Sequence, residues 1–314
     1  QALGCEFGEV VFTSSGTEAA NLALIGTALK ATSRRKVLLP ASEHHCVVST
    51  QSLLERLGMR VELVQVDRQA VIDLDDLDKN LDDETALVAC MHANNEVGSV
   101  QPVDAVSQMA KQRGALFFCD AVQTFLGEPW TVDSIGADLV ALSGHKVGAP
   151  KGIGALYVRA GTAIAPTHVG GGQEREMRAG TESVLGIIGF GAATKSQPKD
   201  GRRAARDAFV EALSGSQVKW TVPQRSLPGH AHCVLHSASA ESMLILLDRM
   251  GVSASSGAAC SSGSLEPSHV LTAAGYNAAE AKRGIRFSFG KLTTISEAID
   301  AAARVAQALA LLES

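Results

Sequence analysis

Apolar strand-like runs alternate with helix-like segments through the first two thirds of this chain, and polar side chains follow four of the predicted strands. These four polar groups are residues 14–17, 92–96, 120–123 and 143–146. Alternating strands and helices predict a mostly parallel sheet, which places the ends of these strands at one edge. Ligands of open α/β sheets bind at such an edge. We therefore predict an α/β fold, with helices on both faces of a central sheet and a ligand site at the four polar groups.

The pattern changes near residue 197, where the polar, helix-breaking stretch SQPKDG (196–201) interrupts the chain. Beyond it, helical segments alternate with short strands that do not continue the first pattern. We predict a large ligand-binding domain over 1–197 and a smaller α+β domain over 198–314. The smaller domain contains a segment of small residues, 252–264, around Cys260.

Lys146 ends the sequence Ser-Gly-His-Lys, where a predicted strand over 137–142 runs into a glycine-rich loop. A single lysine at such a position is more often a surface residue, so Lys146 alone predicts little. Asp120 and the glycine-containing turn over 15–17 change that interpretation. A pyridoxal phosphate site needs a lysine that forms an imine, a carboxylate that keeps the pyridine nitrogen protonated, and donors for the phosphate. Together these residues predict such a site, with Lys146 as the lysine and Asp120 as the carboxylate.

A turn of Ser, Gly and Thr that opens a helix offers backbone N–H groups and the positive end of the helix dipole to a phosphate. The same turn is also explained by an ordinary helix N-cap. The donors available for the phosphate are Ser15, Gly16, Thr17, Ser143 and His145.

Composition argues against several other classes of function. The net charge of −5, the absence of basic runs and an aromatic content of 4% argue against nucleic-acid binding. No uncharged apolar stretch is long enough to span a membrane, and no signal peptide is recognised. The six cysteines are scattered without CxxC spacing, which indicates reduced thiols and a cytoplasmic location, and we predict no metal site. Because the chain begins at Gln1, close before the first predicted strand, we interpret its start as a cut.

Eight motifs occur in the order and near the spacing of a known family. They are FTSSGTEAANLAL (12–24), EHHCV (43–47), HANNEVGSVQP (92–102), DAVQ (120–123), SGHK (143–146), GGGQEREMRAGT (170–181), SSGAACSSGSLEPSHVL (255–271) and IRFS (285–288). On these motifs the chain resembles the cysteine desulfurases, pyridoxal phosphate enzymes of the class V aminotransferase group. The last motifs are similar to those of the family branch that has a longer cysteine loop.

The resemblance implies roles for further residues. His44 is similar to the catalytic histidine that stacks on the cofactor ring, and Gln123 to the residue that hydrogen-bonds the ring oxygen. Asn95 is similar to the residue that contacts the cofactor and the substrate carboxylate, and Arg286 to the arginine that receives this carboxylate. A structural arginine at a strand edge is the other interpretation of Arg286. Thr181 is implied to reach the phosphate of the partner subunit's cofactor, so the resemblance implies a homodimer.

The activity implied by the resemblance converts L-cysteine to L-alanine. Cys260 would take the sulfur as a persulfide and supply it to an acceptor protein for iron–sulfur cluster or other biosynthesis. The other five cysteines lie in or beside apolar segments, the usual place of inert thiols. The small residues around Cys260 bury little apolar area, which predicts a mobile loop. The resemblance also places an N-terminal segment before Gln1 and, in some members, a longer C-terminal tail, neither of which is in this sequence.

Two alternatives remain at this point. An aminotransferase or a selenocysteine lyase could share the fold, but an aminotransferase needs no nucleophilic cysteine, so Cys260 argues against it. A truncated, non-catalytic assembly partner is the second alternative, which the intact Lys146, Asp120, Cys260 and Arg286 oppose.

Overall fold

The computed structural model of the protein describes residues 2–195, 200–216, 218–257 and 266–313. The chain divides into two structural units. The first comprises Gln1–Gln65, Ile72–Ala93 and Gln101–Gln197, and the second comprises Val66–Val71, Asn94–Val100 and Pro198–Ser314. The domain boundary after residue 197 stays a prediction, and two short segments that precede it in sequence group with the second unit.

Strands and helices are numbered in chain order within the described residues. The strands are β1 (Val10–Thr13), β2 (Lys36–Pro40), β3 (Arg60–Val64), β4 (Thr85–Ala89), β5 (Leu116–Asp120), β6 (Leu139–Ser143), β7 (Gly154–Val158), β8 (Val218–Trp220), β9 (His230–Leu235), β10 (Ser255–Ser256) and β11 (Gly284–Ser288). The α-helices are α1 (Gly16–Lys30), α2 (His45–Val48), α3 (Gln51–Arg56), α4 (Leu74–Asn80), α5 (Val103–Gln112), α6 (Val132–Ile135), α7 (Val184–Lys195), α8 (Arg202–Ala212), α9 (Ala240–Arg249), α10 (His269–Ala273), α11 (Ala278–Ala281) and α12 (Ile295–Glu313). Single 3₁₀ turns lie at Phe7–Glu9, Gly144–Val147 and Gln173–Glu176. In the described part of the chain, no helix has the length and apolar character needed to cross a membrane.

The first unit is built on a seven-stranded sheet in the order β1-β7-β6-β5-β4-β2-β3. Strands β3, β2, β4, β5 and β6 pair in parallel, whereas β7 pairs antiparallel with both of its neighbours, β6 and β1. Because β7 runs against the other strands of this sheet, the carboxyl ends of β1, β4, β5 and β6 lie at one edge. The mostly parallel sheet, with a smaller second unit beside it in the chain, confirms the predicted fold class.

Apolar side chains bury both faces of this sheet. In β2, Val37 and Leu39 belong to one apolar cluster and Leu38 to the other, because successive residues of a strand point to opposite faces. Residues of α1 fill the cluster that contains Val37, and residues of α5 fill the cluster that contains Leu38. Helices therefore cover both faces, as predicted, and only the edges of the sheet remain for polar groups.

The second unit has a four-stranded antiparallel sheet in the order β10-β11-β9-β8. Helices α8, α9 and α12 pack on it and contribute Phe209, Leu247 and Val305 to one apolar cluster. The rings of Phe209 and Phe287 are centred 4.8 Å apart, which ties α8 to β11. This packing fixes β11, the strand that carries Arg286.

Candidate active site

The carboxyl edge of the first sheet brings together the strand ends predicted to form the site. Thr13, at the end of β1, and Ser143, at the end of β6, are both register partners of Gly154 in β7. The main-chain oxygen of Asp120, at the end of β5, accepts a hydrogen bond of 2.8 Å from the N–H of His92. The polar groups that follow β5 and β6 therefore lie on neighbouring strands, and the group that follows β1 lies two strands from that of β6.

Asp120 is a nearly buried carboxylate, 7% exposed. Its Oδ1 accepts the N–H of Val122 at 3.0 Å, and its Oδ2 lies 3.9 Å from Sγ of Cys46. Burial raises the pKa of Asp120 to about 6, although the Val122 N–H and the positive charge of Lys146 act to lower it. A cationic partner would stabilise the ionised form of a carboxyl group in this environment, and a protonated pyridine nitrogen is such a partner.

His44 lies directly before α2 and caps that helix. Its Nδ1 accepts the N–H of Cys46 at 3.1 Å. Ligand atoms of His44, Cys46 and Asp120 lie within 4.8 Å of one another, so the histidine is beside the carboxylate, as the stacking role requires. The same three side chains could also ligate a metal ion, and the expectation of no metal site therefore stays a prediction.

Lys146 lies in the 3₁₀ turn that directly follows β6. A Cβ atom on Gly144, the first residue of this turn, would lie 2.6 Å from a methyl group of Ile153, so the tight turn requires glycine. Lys146 is exposed, and its charge reaches Asp120, whose pKa it acts to lower. The turn therefore presents an accessible amine on the same side of the sheet as the buried carboxylate.

Helix α1 begins beside the end of β6. A Cβ atom on Gly16 would lie 2.8 Å from the side chain of Val122 and 3.2 Å from Cβ of Ser143, so glycine lets the helix approach the strand end closely. Ser15 is the N-cap, and its side chain accepts a backbone N–H of the first turn. The N–H groups of Gly16 and Thr17 have no acceptor within the helix, and the helix dipole favours an anion there. The two interpretations of this turn, N-cap and phosphate site, are compatible.

Ser143 and His145 lie next to this helix start. Oγ of Ser143 and Nδ1 of His145 are 2.8 Å apart. Burial lowers the pKa of His145, and the positive charges of Lys146 and Lys151 lower it further. A neutral imidazole still donates one N–H, so His145 can serve as a phosphate donor beside Ser143.

Gln123 and Thr181 belong to loops of the first unit. Gln123 is half-buried in the turn after Asp120. Thr181 is exposed and follows a strained segment in which Glu174 and Arg175 have positive φ angles of 47° and 57°. Gln123 lies three residues after Asp120 in the sequence, and Thr181 lies on the surface of the first unit.

Asn95 and Arg286 lie together in the second unit. Nη1 of Arg286 donates to the main-chain oxygen of Asn95 at 2.6 Å. Oδ1 of Asn95 is buried and has no hydrogen-bond partner among the described residues. A buried amide oxygen without a donor is costly, and a ligand that donates a hydrogen bond would remove this cost. Cys260 lies in 258–265, outside the described residues, so its role and the mobility of its loop stay predictions.

The residues present fit pyridoxal phosphate. The first unit offers a buried carboxylate for the pyridine nitrogen, an accessible lysine and a histidine beside the carboxylate. It also offers the start of α1 for the phosphate, where Gly16 leaves no room for a side chain. Within the second unit, the buried side-chain oxygen of Asn95 has no partner among the described residues, and the main-chain oxygen of the same residue accepts from Arg286.

Sequence reasoning missed Glu43, which lies directly before His44. Its side chain is fully buried, and Oε1 accepts the N–H of Met91 at 2.5 Å. Burial raises the pKa of Glu43 to about 8; the negative charge of Asp120 also raises it, whereas the Met91 N–H lowers it. The available signal was a carboxylic acid three residues after the fully buried strand β2, because buried carboxyl groups are rare.

Known proteins are similar to this chain over most of its length. The model of the family described as aminotransferase class-V matches residues 1–301. A cysteine desulfurase IscS from Dictyoglomus turgidum is 41% identical over 304 residues, which are 94% of this chain and 77% of that protein. A cysteine desulfurase IscS from Methanosarcina thermophila is 39% identical over 314 residues, which cover 95% of this chain and 76% of that protein.

Solved structures also superpose on most of this chain. A NifS-like protein superposes with a TM-score of 0.90 and 31% identity, covering 99% of this chain and 85% of its own. The structure described as SspA in complex with cysteine superposes with a TM-score of 0.84 and 31% identity, covering 93% and 84%.

Proposed function

We propose a function from the premise that this chain belongs to the aminotransferase class-V family and, within it, to the cysteine desulfurases. It is a pyridoxal phosphate-dependent cysteine desulfurase whose substrate is L-cysteine. The observation that carries this conclusion is the cluster of His44, Asp120 and Lys146 at the carboxyl edge of the sheet, in a chain about 40% identical to curated cysteine desulfurases.

The side chains of the first unit hold and polarise the cofactor. Bound pyridoxal phosphate supplies an electron sink for the Cα carbon of the substrate. Asp120 would stabilise a proton on the pyridine nitrogen, His44 would stack on the ring and Gln123 would hydrogen-bond the ring oxygen. Lys146 would hold the cofactor through its Nζ, and the same amine would move the proton at Cα of the substrate. The start of α1 at Gly16 binds the phosphate through backbone N–H groups.

Asn95 and Arg286 bind the substrate carboxylate. The guanidinium group of Arg286 offers the planar pair of donors that suits a carboxylate. The Cys260 thiolate then bonds to the substrate sulfur as the carbon–sulfur bond breaks. The carbon keeps the electron pair of that bond and takes up a proton, so the products are L-alanine and a Cys260 persulfide.

The working molecule is a homodimer that delivers sulfur to an acceptor protein in the cytoplasm. Support for the dimer comes from Thr181 and from apolar side chains that follow it: Val184, Leu185 and Ile188 are 62%, 84% and 63% exposed. Exposed apolar patches of this kind are typical of interfaces between proteins. We propose that the acceptor protein takes part in iron–sulfur cluster assembly.

Product analysis tests the activity. With L-cysteine, pyridoxal phosphate and a reducing thiol, the enzyme should release L-alanine and sulfide in equal amounts. Both products should be lost in Lys146→Ala and in Cys260→Ser, whereas Lys151→Ala, which removes a neighbouring exposed lysine, should remain active. 3-Mercaptopyruvate in place of alanine, formed when a 2-oxo acid is supplied as amino acceptor, would indicate an aminotransferase, and a strong preference for selenocysteine would indicate a lyase.

Covalent trapping tests the lysine assignment separately. After borohydride reduction, peptide mass spectrometry should find the cofactor on Lys146 and not on Lys151. Cofactor trapped on another lysine, or normal turnover by Lys146→Ala, would contradict the assignment.

A further inference from the structure

Glu96 is a buried carboxylate of the second unit to which the reaction above assigns no role. It is 3% exposed and lies in a tight turn over 94–99. Oδ1 of Asn94 accepts the N–H groups of both Glu96 and Val97, at 2.8 and 3.0 Å. Gly98, with a φ angle of +80°, donates its N–H to the main-chain oxygen of Asn94 at 3.1 Å. These bonds fix the backbone of the turn and thereby the direction of the Glu96 side chain.

Glu96 binds Ser268, which follows the segment 258–265 in the chain. Oγ of Ser268 donates to Oε2 of Glu96 at 2.6 Å, and Ser268 is 2% exposed. The same Oγ accepts the N–H of Leu271 at 3.2 Å and so caps α10. A hydrogen bond to an ionised group is about twice as strong as a neutral one. The start of α10 is therefore tied to the Glu96 carboxylate.

The Glu96 side chain also lies close to Gly257, which precedes the same segment. A Cβ atom on Gly257 would lie 2.7 Å from Oε2 of Glu96 and 3.4 Å from Cβ of Ser268. Two residues earlier, Ser255 pairs with Arg286 across the β10–β11 ladder. The residues that flank 258–265 on its two sides therefore meet at one carboxylate.

The turn that carries Glu96 also holds Arg286. Asn95, the preceding residue, accepts from Nη1 of Arg286 at 2.6 Å through its main-chain oxygen. Burial raises the pKa of Glu96 to about 7, while the hydrogen bond from Ser268 and the positive charge of Arg286 act to lower it. One turn thus contacts the arginine proposed for the substrate carboxylate and both flanks of the segment that contains Cys260.

We propose that Glu96 is a positioning residue for sulfur transfer, which ties Gly257 and Ser268 to the turn that holds Arg286. The inference rests on the proposed function, because Cys260 and Arg286 have their roles only in that reaction. The turn over 94–99 then positions both Arg286, which binds the substrate carboxylate, and the residues that flank 258–265. Removal of the anchor should slow the attack of Cys260 on bound substrate and leave substrate affinity nearly unchanged.

Two substitutions of Glu96 separate its hydrogen bond from its charge. Glu96→Ala removes the acceptor for Ser268 and should lower kcat for alanine formation by roughly 5- to 150-fold, since a buried donor left without a partner costs about 1–3 kcal/mol. KM should stay within about threefold of the wild type. Glu96→Gln keeps an oxygen that accepts from Ser268 and should retain kcat within about threefold. Glu211→Ala, which removes an exposed carboxylate at the end of α8, is the matched control.

Alkylation of resting enzyme gives a readout that does not depend on turnover. Peptide mass spectrometry after brief treatment with iodoacetamide should show faster modification of Cys260 in Glu96→Ala than in the wild type, Glu96→Gln or Glu211→Ala. Cys5, in the first unit, serves as the internal reference in every sample. A general loss of structure would instead increase the modification of both cysteines.

Several results would overturn the inference. These are wild-type kcat in Glu96→Ala, equal damage in Glu96→Gln and Glu96→Ala, or an unchanged alkylation rate at Cys260. If Glu96→Ala does not fold, Ser268→Ala removes only the hydroxyl donor and must show the same slower kcat and faster alkylation. If the wild type releases no alanine from L-cysteine, the proposed function fails, whereas the alkylation comparison still decides whether Glu96 anchors the segment.

Discussion

At the scale of single residues, burial controls the charge state of the carboxyl groups around the site. Burial raises the pKa of Asp120 to about 6 and that of Glu43 to about 8. The two carboxyl groups also repel each other when both are ionised, since the charge of Asp120 raises the pKa of Glu43. A proton on Glu43 at neutral pH therefore leaves Asp120 as the ionised group that can pair with a pyridine nitrogen.

Replacement of Asp120 by asparagine tests this pairing. A charge-assisted hydrogen bond contributes about 1.5–3 kcal/mol, so full loss in the transition state would slow turnover by roughly 10- to 150-fold. We expect kcat for alanine formation to fall by at least that lower factor in Asp120→Asn. Cofactor titration followed by absorbance should show that the variant still binds pyridoxal phosphate. A variant with the wild-type rate would rule out the assigned role of Asp120.

The pH dependence of stability tests the state of Glu43. Its folded pKa of about 8 lies above its ordinary value of 4.5, so its favourable contribution is complete below the ordinary value and is lost as pH rises through about 8. Relative to Glu43→Gln, the cofactor-free wild type should lose stability between about pH 5 and pH 8, by at most about 1.4 kcal/mol per pH unit. Urea unfolding of both proteins at several pH values measures this difference. A constant difference over that range would contradict the prediction.

At the scale of secondary structure elements, close approach of three elements builds the phosphate region. Gly154 lies in β7 between the end of β1 and the end of β6, next to the start of α1. A Cβ atom there would lie 2.6 Å from the main-chain oxygen of Ser15 and 2.8 Å from that of Leu142. Backbone atoms cannot rotate away as side chains do, so the elements themselves would have to move.

Gly154→Ala should therefore weaken both stability and cofactor binding. Overpacking of a well-packed region costs about 1–3 kcal/mol, and displacement of α1 should raise the Kd for pyridoxal phosphate. Gly8→Ala is the control, because a Cβ atom on Gly8 meets nothing within 4 Å. Thermal unfolding and cofactor titration of both variants measure the two effects. Equal behaviour of the two alanine variants would show that the close approach at Gly154 is unimportant.

At the scale of the whole molecule, the proposed dimer explains an exposed apolar surface on α7. Leu185 is 84% exposed, and Thr181, which we expect to serve the partner subunit's site, lies four residues before it. Burial of apolar surface between two subunits is the usual reason for such exposure.

A charged residue on this surface should separate the subunits. Leu185→Glu should shift the protein from dimer to monomer and lower its activity in proportion, because a buried unpaired charge is costly. Leu311→Glu changes an exposed leucine of α12, 58% exposed, and should leave both properties unchanged. Light scattering with size-exclusion chromatography gives the mass, and alanine release gives the activity. A fully active wild-type monomer would contradict the dimer.

Local signals in the sequence determined the class of fold and most strand and helix positions. Alternating apolar runs predicted the parallel sheet, and the strand predicted over 137–142 is observed as β6, Leu139–Ser143. Helix α10 begins at His269, because the side chain of Ser268 caps it. Side-chain caps such as this one depend on individual hydrogen bonds, which periodicity does not reveal.

The sequence by itself also determined which residues follow the strand ends, and with them the candidates Lys146, Asp120 and Gly16. Only the tertiary structure decided which other groups meet them. Glu43 and Cys46 lie beside Asp120 because the loop after β2 folds back over the end of β4, and Glu96 reaches Ser268 across 172 positions of chain. Periodicity reports the environment of a residue along its own element, whereas burial and charge depend on contacts between distant elements. The pKa values of these carboxyl groups therefore follow from packing and could not be predicted from residue order.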